Sequence, residues 1–221
     1  LLALPQRNVK RMLADSSIAH AGYLLVAIAA ATSVAAPEAG GDALLFGAFT
    51  VTGLTRTAGG ESLLYYLAAY TVTAVGAFGV AAAIERKDES PMAWDLDRFS
   101  GLARRRPVLA AFMATFLVSL AGIPPTAGFM GKLLVFRAAI EAQQYALAIV
   151  GVITSAIGAY YYLRVVVHMY FHAPEPELGV PEARSATLDG SLGVAFVLVF
   201  ALGLGPDRVL ELARLGANLL F

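Results

Sequence analysis

The sequence predicts an all-α fold: a polytopic bundle of transmembrane helices in which one helix is broken inside the membrane. Three observations carry this expectation. Hydrophobic residues make up 58% of the 221 positions and charged residues only 14%, whereas soluble domains are about 25% charged; the mean hydropathy is +0.70. The apolar residues gather in five stretches long enough to cross a bilayer, which takes about 20 residues. The longest of these stretches contains two adjacent prolines, Pro124 and Pro125. A formal net charge of zero implies no global attraction to nucleic acid. With no cysteine, the chain can form neither disulfides nor thiolate-ligated metal or iron–sulfur sites.

The first stretch covers residues 16–36 and ends at Pro37-Glu38, with Asp15 placed as the simplest N-terminal cap. The second covers 62–84 and is closed by the charged cluster Glu85-Arg86-Lys87-Asp88-Glu89. Between them, residues 42–54 are apolar but too short to span, which suggests a re-entrant or interfacial piece. The third stretch opens at Pro107, a favoured first-turn residue, and runs to about Ile140. The fourth covers 145–171 and is followed by Pro174 and Pro176; the fifth covers 188–204, before Pro206. In the tail, 207–221, helical spacing puts Val209, Leu212, Ala213, Leu219 and Leu220 on one face. Arg208, Glu211 and Arg214 fall largely on the other, as in an amphipathic interfacial helix. The whole reads as a single membrane domain, and the Leu-Leu-Ala-Leu start suggests a piece of a longer chain.

Orientation is expected from the basic residues. With five spans, Arg7, Lys10, Arg11, Arg86, Lys87, Arg98, Arg104, Arg105, Arg106 and Arg184 share one side, and Arg56, Arg208 and Arg214 the other. The first set, with the chain start, should face the cytoplasm and the C-terminal tail the opposite side.

The third stretch is the informative one. At about 34 residues it would measure about 51 Å as one straight helix, against a hydrocarbon core near 30 Å. Pro124 and Pro125 remove two backbone donors, and Gly122, Gly128 and Gly131 loosen the chain around them, so the helix should break near 122–128. Non-helical backbone at that depth is tolerated against protein or a water-filled cavity, and broken helices recur at transporter ion sites. Lys132 follows the break by two turns. A lysine near the bilayer centre is costly and usually faces the bundle interior, which makes it the leading candidate for proton exchange. The bland alternative is a lysine whose ammonium reaches an interface.

His20 lies in the first span, where a side chain that ordinarily titrates near neutrality could relay protons or simply bond neighbouring hydroxyls. Tyr23, Arg137, Glu141, Arg164 and His168 are further candidates for a hydrophilic path. Arg137–Glu141 also fits an ordinary i,i+4 pair, and Tyr160-Tyr161-Tyr162, Arg164 and His168 also fit an interfacial belt. The three histidines are too dispersed to suggest a metal site.

The stretch from Gln6 to Tyr23, with Asn8, Lys10-Arg11, Ser16-Ser17, His20 and Gly22-Tyr23, resembles a motif of the antiporter-like membrane subunits of respiratory complex I. Ser119 to Lys132 resembles their discontinuous twelfth helix, and Tyr160 to Val165 favours complex I over the related multisubunit cation/proton antiporters. The family has fourteen transmembrane helices, with two inverted five-helix repeats that form proton half-channels. The resemblance implies that this chain holds most of the second repeat, with Lys132 as the proton-exchanging lysine and His20 on the central hydrophilic axis. It further implies proton translocation coupled to electron transfer from NADH to quinone, in a bacterial inner membrane and among other membrane subunits. FMN, iron–sulfur clusters and quinone would be held elsewhere in the complex, with no cofactor in this chain. Two alternatives stand beside this: a cation/proton antiporter subunit and a structural membrane subunit. The chain departs from the family at Asp15, where an aromatic is usual, and at 42–60, which resembles an insertion.

Overall fold

The computed structural model describes residues 2–32, 55–84, 94–173 and 186–220; the 42–54 segment lies outside them. The described residues form eight α-helices: α1 (Val9–Thr32), α2 (Thr55–Ile84), α3 (Leu102–Arg105), α4 (Pro107–Ala121), α5 (Ala127–Glu141), α6 (Tyr145–Phe171), α7 (Ala186–Leu204) and α8 (Asp207–Leu220). One 3-10 turn, Leu96–Phe99, precedes α3. Four of the helices, α1, α2, α6 and α7, contain segments long and apolar enough to cross a membrane. Helices α4 and α5, of 15 residues each, are about 22 Å long apiece. Neither spans a hydrocarbon core near 30 Å by itself.

Helix α1 begins at Val9, seven residues ahead of the apolar run. The Asn8 side chain sets this start, its Oδ1 accepting from the Arg11 amide at 3.0 Å as an N-cap does. Asp15 therefore does not cap the helix; it sits inside it. The same entry is tied to the segment before the 3-10 turn. Val9 N donates to Trp94 O and Leu96 N to Arg7 O, both at 2.9 Å. Arg7 pairs with Asp97 at 2.7 Å, and the Lys10 ammonium lies over the Trp94 ring.

Helix α2 is the centre of the bundle, packed by α1, α4, α5, α7 and α8. The main apolar core joins α2, α4 and α6 through Ala77, Val80, Met113, Phe116, Leu117, Val165 and Met169. The outer faces are also apolar: Leu25, Val75, Ile149, Ile153, Val194 and Val197 are exposed. Hydroxyls, the His20 imidazole and the Lys132 ammonium are instead inside. A chain whose surroundings are hydrocarbon has no reason to hide its aliphatic side chains, but must give its polar groups protein partners.

The tail keeps Val209 and Ala213 of its expected face on the packed side and departs at Leu212; the side chains of Leu219 and Leu220 lie outside the described residues. Helix α8 packs on α2 through Val209, Leu210, Ala213 and Ala217, whereas Leu212 is exposed. Arg214, on the outer side, reaches Glu61 of α2 at 3.0 Å. Neighbouring protein rather than a lipid interface thus takes one side of this helix.

Candidate functional site

The break between α4 and α5 builds the site. Gly122 has φ +82° and ends α4, a left-handed conformation that glycine adopts without the Cβ clash of other residues. Its amide donates to Ser119 O and that of Ile123 to Val118 O, a Schellman arrangement. This serves two of the four carbonyls orphaned at a helix C-terminus and leaves those of Leu120 and Ala121. Lys132, one and a half turns into α5, fills the vacancy. Its Nζ donates to Leu120 O at 2.8 Å, to Ala121 O at 3.1 Å and to Ser155 Oγ of α6 at 2.9 Å.

Three donors on an ammonium meet three oxygens, two of them at the negative end of the α4 dipole. Lys132 is only 5% exposed, and none of the ion pairs among the described residues includes it. The charge is thus held by helix-end dipoles, a hydroxyl and the face of the Tyr23 ring at 5.2 Å.

The other side of the break is held by a hydroxyl chain. The Gly128 amide, an orphan donor at the start of α5, donates to Ser119 Oγ at 3.1 Å. Thr73 Oγ1 donates to Ala69 O, so the Ser119 hydroxyl supplies the hydrogen of the 3.2 Å Ser119–Thr73 contact. A Cβ at Gly128 would coincide with the Ser119 carbonyl, so the half-helices approach as closely as glycine allows. The Pro124–Pro125 peptide in the connecting turn is cis.

His20 is 3% exposed and sits between two tyrosines. Its Nδ1 is 2.6 Å from Tyr66 Oη and its Nε2 3.0 Å from Tyr162 Oη, while its ring stacks on Tyr70 at 4.6 Å. A neutral imidazole has one donor and one acceptor nitrogen, so one tyrosine must donate and the other accept. A cavity of roughly water size lies among His20, Tyr66, Tyr70, Thr73, Ser119 and Lys132. The lysine and the histidine therefore line one small cavity. Tyr23 lines the same region, edge-on to His20 and 3.3 Å from Thr154 Oγ1.

The remaining candidates lie apart from this cavity. Arg137 and Glu141 pair with one another at 2.6 Å on the exposed side of α5. Arg164 lies nine residues beyond Ser155 on α6, about 13 Å along the axis. Its guanidinium donates to Leu4 O at 2.9 Å and to Gln6 O, clamping the segment that leads into α1. His168 bonds the Arg164 carbonyl at 2.9 Å and stacks on His172 at 4.1 Å. Among the described residues no three His, Cys, Asp or Glu side chains gather as a metal site would require.

Several site residues escaped the reading of the sequence. Tyr66, Tyr70 and Thr73 recur at helical spacing along α2, a stripe that periodicity alone could have found. Of the Tyr160–Tyr162 triplet, only Tyr160 is exposed as an interfacial belt requires; Tyr161 and Tyr162 are buried. Ser155, a lone serine on an apolar helix, carries no signal in sequence.

A family model described as NADH:quinone oxidoreductase/Mrp antiporter, transmembrane, matches residues 1–54 and 43–158. The chain is 51% identical over 95% of its length to NADH-quinone oxidoreductase subunit N of Myxococcus xanthus, and covers 41% of that protein. It is 43% identical over 96% of its length to subunit N 2 of Roseiflexus castenholzii, covering 38%. Among solved structures, a chain of respiratory complex I from Thermus thermophilus with bound aureothin superposes with TM-score 0.70 at 32% identity. The match covers 95% of this chain and 41% of that one. A chain of the Mrp complex from Dietzia sp. DQ12-45-1b, at TM-score 0.74 and 24% identity, shares the fold over 97% of this chain and 43% of its own. The chain thus spans about two fifths of the length of the curated relatives it matches.

Proposed function

Because the chain belongs to the NADH:quinone oxidoreductase/Mrp antiporter transmembrane family, we propose that it is the Lys132-bearing part of a proton-translocating subunit of an NADH–quinone oxidoreductase. It is a multi-pass membrane protein. In this reading electrons pass from NADH to quinone in other subunits, which hold FMN and iron–sulfur clusters, and this chain moves protons. Its neighbours are other membrane subunits of the same complex, in a bacterial inner membrane, with the chain start and the basic loops toward the cytoplasm. Identities of 43–51% to oxidoreductase subunits favour this over the antiporter reading, whose matching structure is 24% identical.

The observation that carries the proposal is Lys132, buried at the end of a broken helix and facing the same small cavity as His20. With acceptors fixed in place, the ammonium is held in one position. The neutral amine donates to two of the three oxygens and offers its lone pair to an incoming proton. Because no carboxylate among the described residues pairs with it, loss of the proton leaves no buried anion unpaired among them. When one tyrosine passes its hydroxyl proton to the acceptor nitrogen of His20 and is itself reprotonated, the other nitrogen can release its proton to the second tyrosine, which passes on its own, so His20 can hand a proton along without moving.

The test is Lys132→Ala in the full-length subunit, in membrane vesicles containing the whole complex. Proton uptake driven by NADH oxidation is expected to fall by roughly tenfold or more, toward the loss of a proton-transfer group. NADH oxidation by an artificial acceptor should continue at the unaltered rate. Undiminished proton uptake would overturn the assignment.

A further inference from the structure

We propose that Ser155 is a positioning residue for Lys132: its hydroxyl completes the ammonium's acceptor set and fixes the amine against the end of α4. This rests on the proton-exchanging role of Lys132. Of the three acceptors, the Leu120 and Ala121 carbonyls belong to the break itself, so any side chain on α4 would present them. Ser155 is the one side-chain acceptor of the three, and the one that comes from outside the broken α4–α5 pair.

Its neighbour shows that this is a directed choice. Serine and threonine inside a helix commonly bond a carbonyl of the preceding turn. Thr154 does so, donating to Val150 O at 2.9 Å and Gly151 O at 3.0 Å. The Ser155 oxygen instead accepts from Lys132.

Its place on α6 gives this contact a second consequence. Ser155 and Tyr162 are seven residues apart, hence on one face of the helix and about 10.5 Å apart along it. Tyr162 bonds His20. One face of α6 therefore holds Lys132 with one residue and His20 with the other, and sets the spacing of the two groups across the cavity. Removing the Ser155 hydroxyl should leave α6 packed but release the amine from its fixed place.

The test uses the assembled oxidoreductase in membrane vesicles, with the full-length subunit carrying Ser155→Ala, Ser155→Cys or Ser155→Thr, and Lys132→Ala as reference. Ser155→Ala should lower NADH-driven proton uptake about tenfold, the size expected from losing one hydrogen bond to a charged group. It should also displace the pH profile of uptake, while NADH oxidation by ferricyanide is unchanged. Ser155→Thr should restore both, and Ser155→Cys, a weak acceptor of similar size, should fall between. The proposal is overturned if Ser155→Ala pumps with the unaltered rate and pH profile while Lys132→Ala does not. It is equally overturned if uptake follows side-chain volume, with Thr the most impaired and Ala the least. Full pumping by Lys132→Ala would instead overturn the role of Lys132 on which this inference rests.

Discussion

Lys132 and Arg164 are both cations on largely apolar helices, and both donate to backbone carbonyls, yet they sit in different surroundings. Lys132 takes the orphaned carbonyls of its own broken helix pair, deep in the bundle and beside a water-sized cavity. Arg164 takes the carbonyls of Leu4 and Gln6, on the segment entering α1. The ligands are alike, so the carbonyls do not make a cation functional. In the proposed role, what distinguishes Lys132 is a side chain that can lose its proton and a small cavity shared with His20. A guanidinium in a protein keeps its charge, and that suits a clamp.

The largest effect that would break this comparison is expected from Gly128→Ala. The added Cβ would coincide with the Ser119 carbonyl, and backbone cannot yield as a flexible side chain can. The half-helices would separate, and native gels should show the subunit missing from the complex. Lys132→Ala comes next, with an assembled complex and proton uptake lower by roughly tenfold or more. Arg164→Ala should act on stability, by about 1.5–3 kcal/mol for the hydrogen bonds of a charged group. That loss is read as earlier heat dissociation of the detergent-solubilised complex, with uptake per NADH retained. Smallest is Arg137→Ala, which removes a partly exposed i,i+4 pair with Glu141. It should cost about 0.3–0.5 kcal/mol and leave pumping unaltered.

The same contrast shows what was readable in the sequence. The break was readable because proline and glycine act locally: Pro124 and Pro125 forbid continuous helix whatever surrounds them. Lys132 was readable because a charge in an apolar stretch is costly in any packing. The start of α1 was misplaced because hydropathy marks where a membrane begins, whereas Asn8 caps a helix that extends beyond the apolar run. The Arg164 clamp joins residues 160 and 158 positions apart, and no local pattern announces such a partner. Ser155 was silent for the same reason, and the buried Tyr161 and Tyr162 were read as a belt because an exposed and a buried tyrosine look alike in sequence. Leu212 of α8 was grouped with Val209 and Ala213, yet only the latter two are packed, because which part of an apolar face meets protein is decided by tertiary packing.

The most direct measurement compares proton uptake per NADH oxidised in vesicles carrying Lys132→Ala with that in vesicles carrying Arg164→Ala, at equal amounts of assembled complex. The account predicts that uptake collapses in the first and persists in the second. Equal loss in both, or persistence in both, would contradict it.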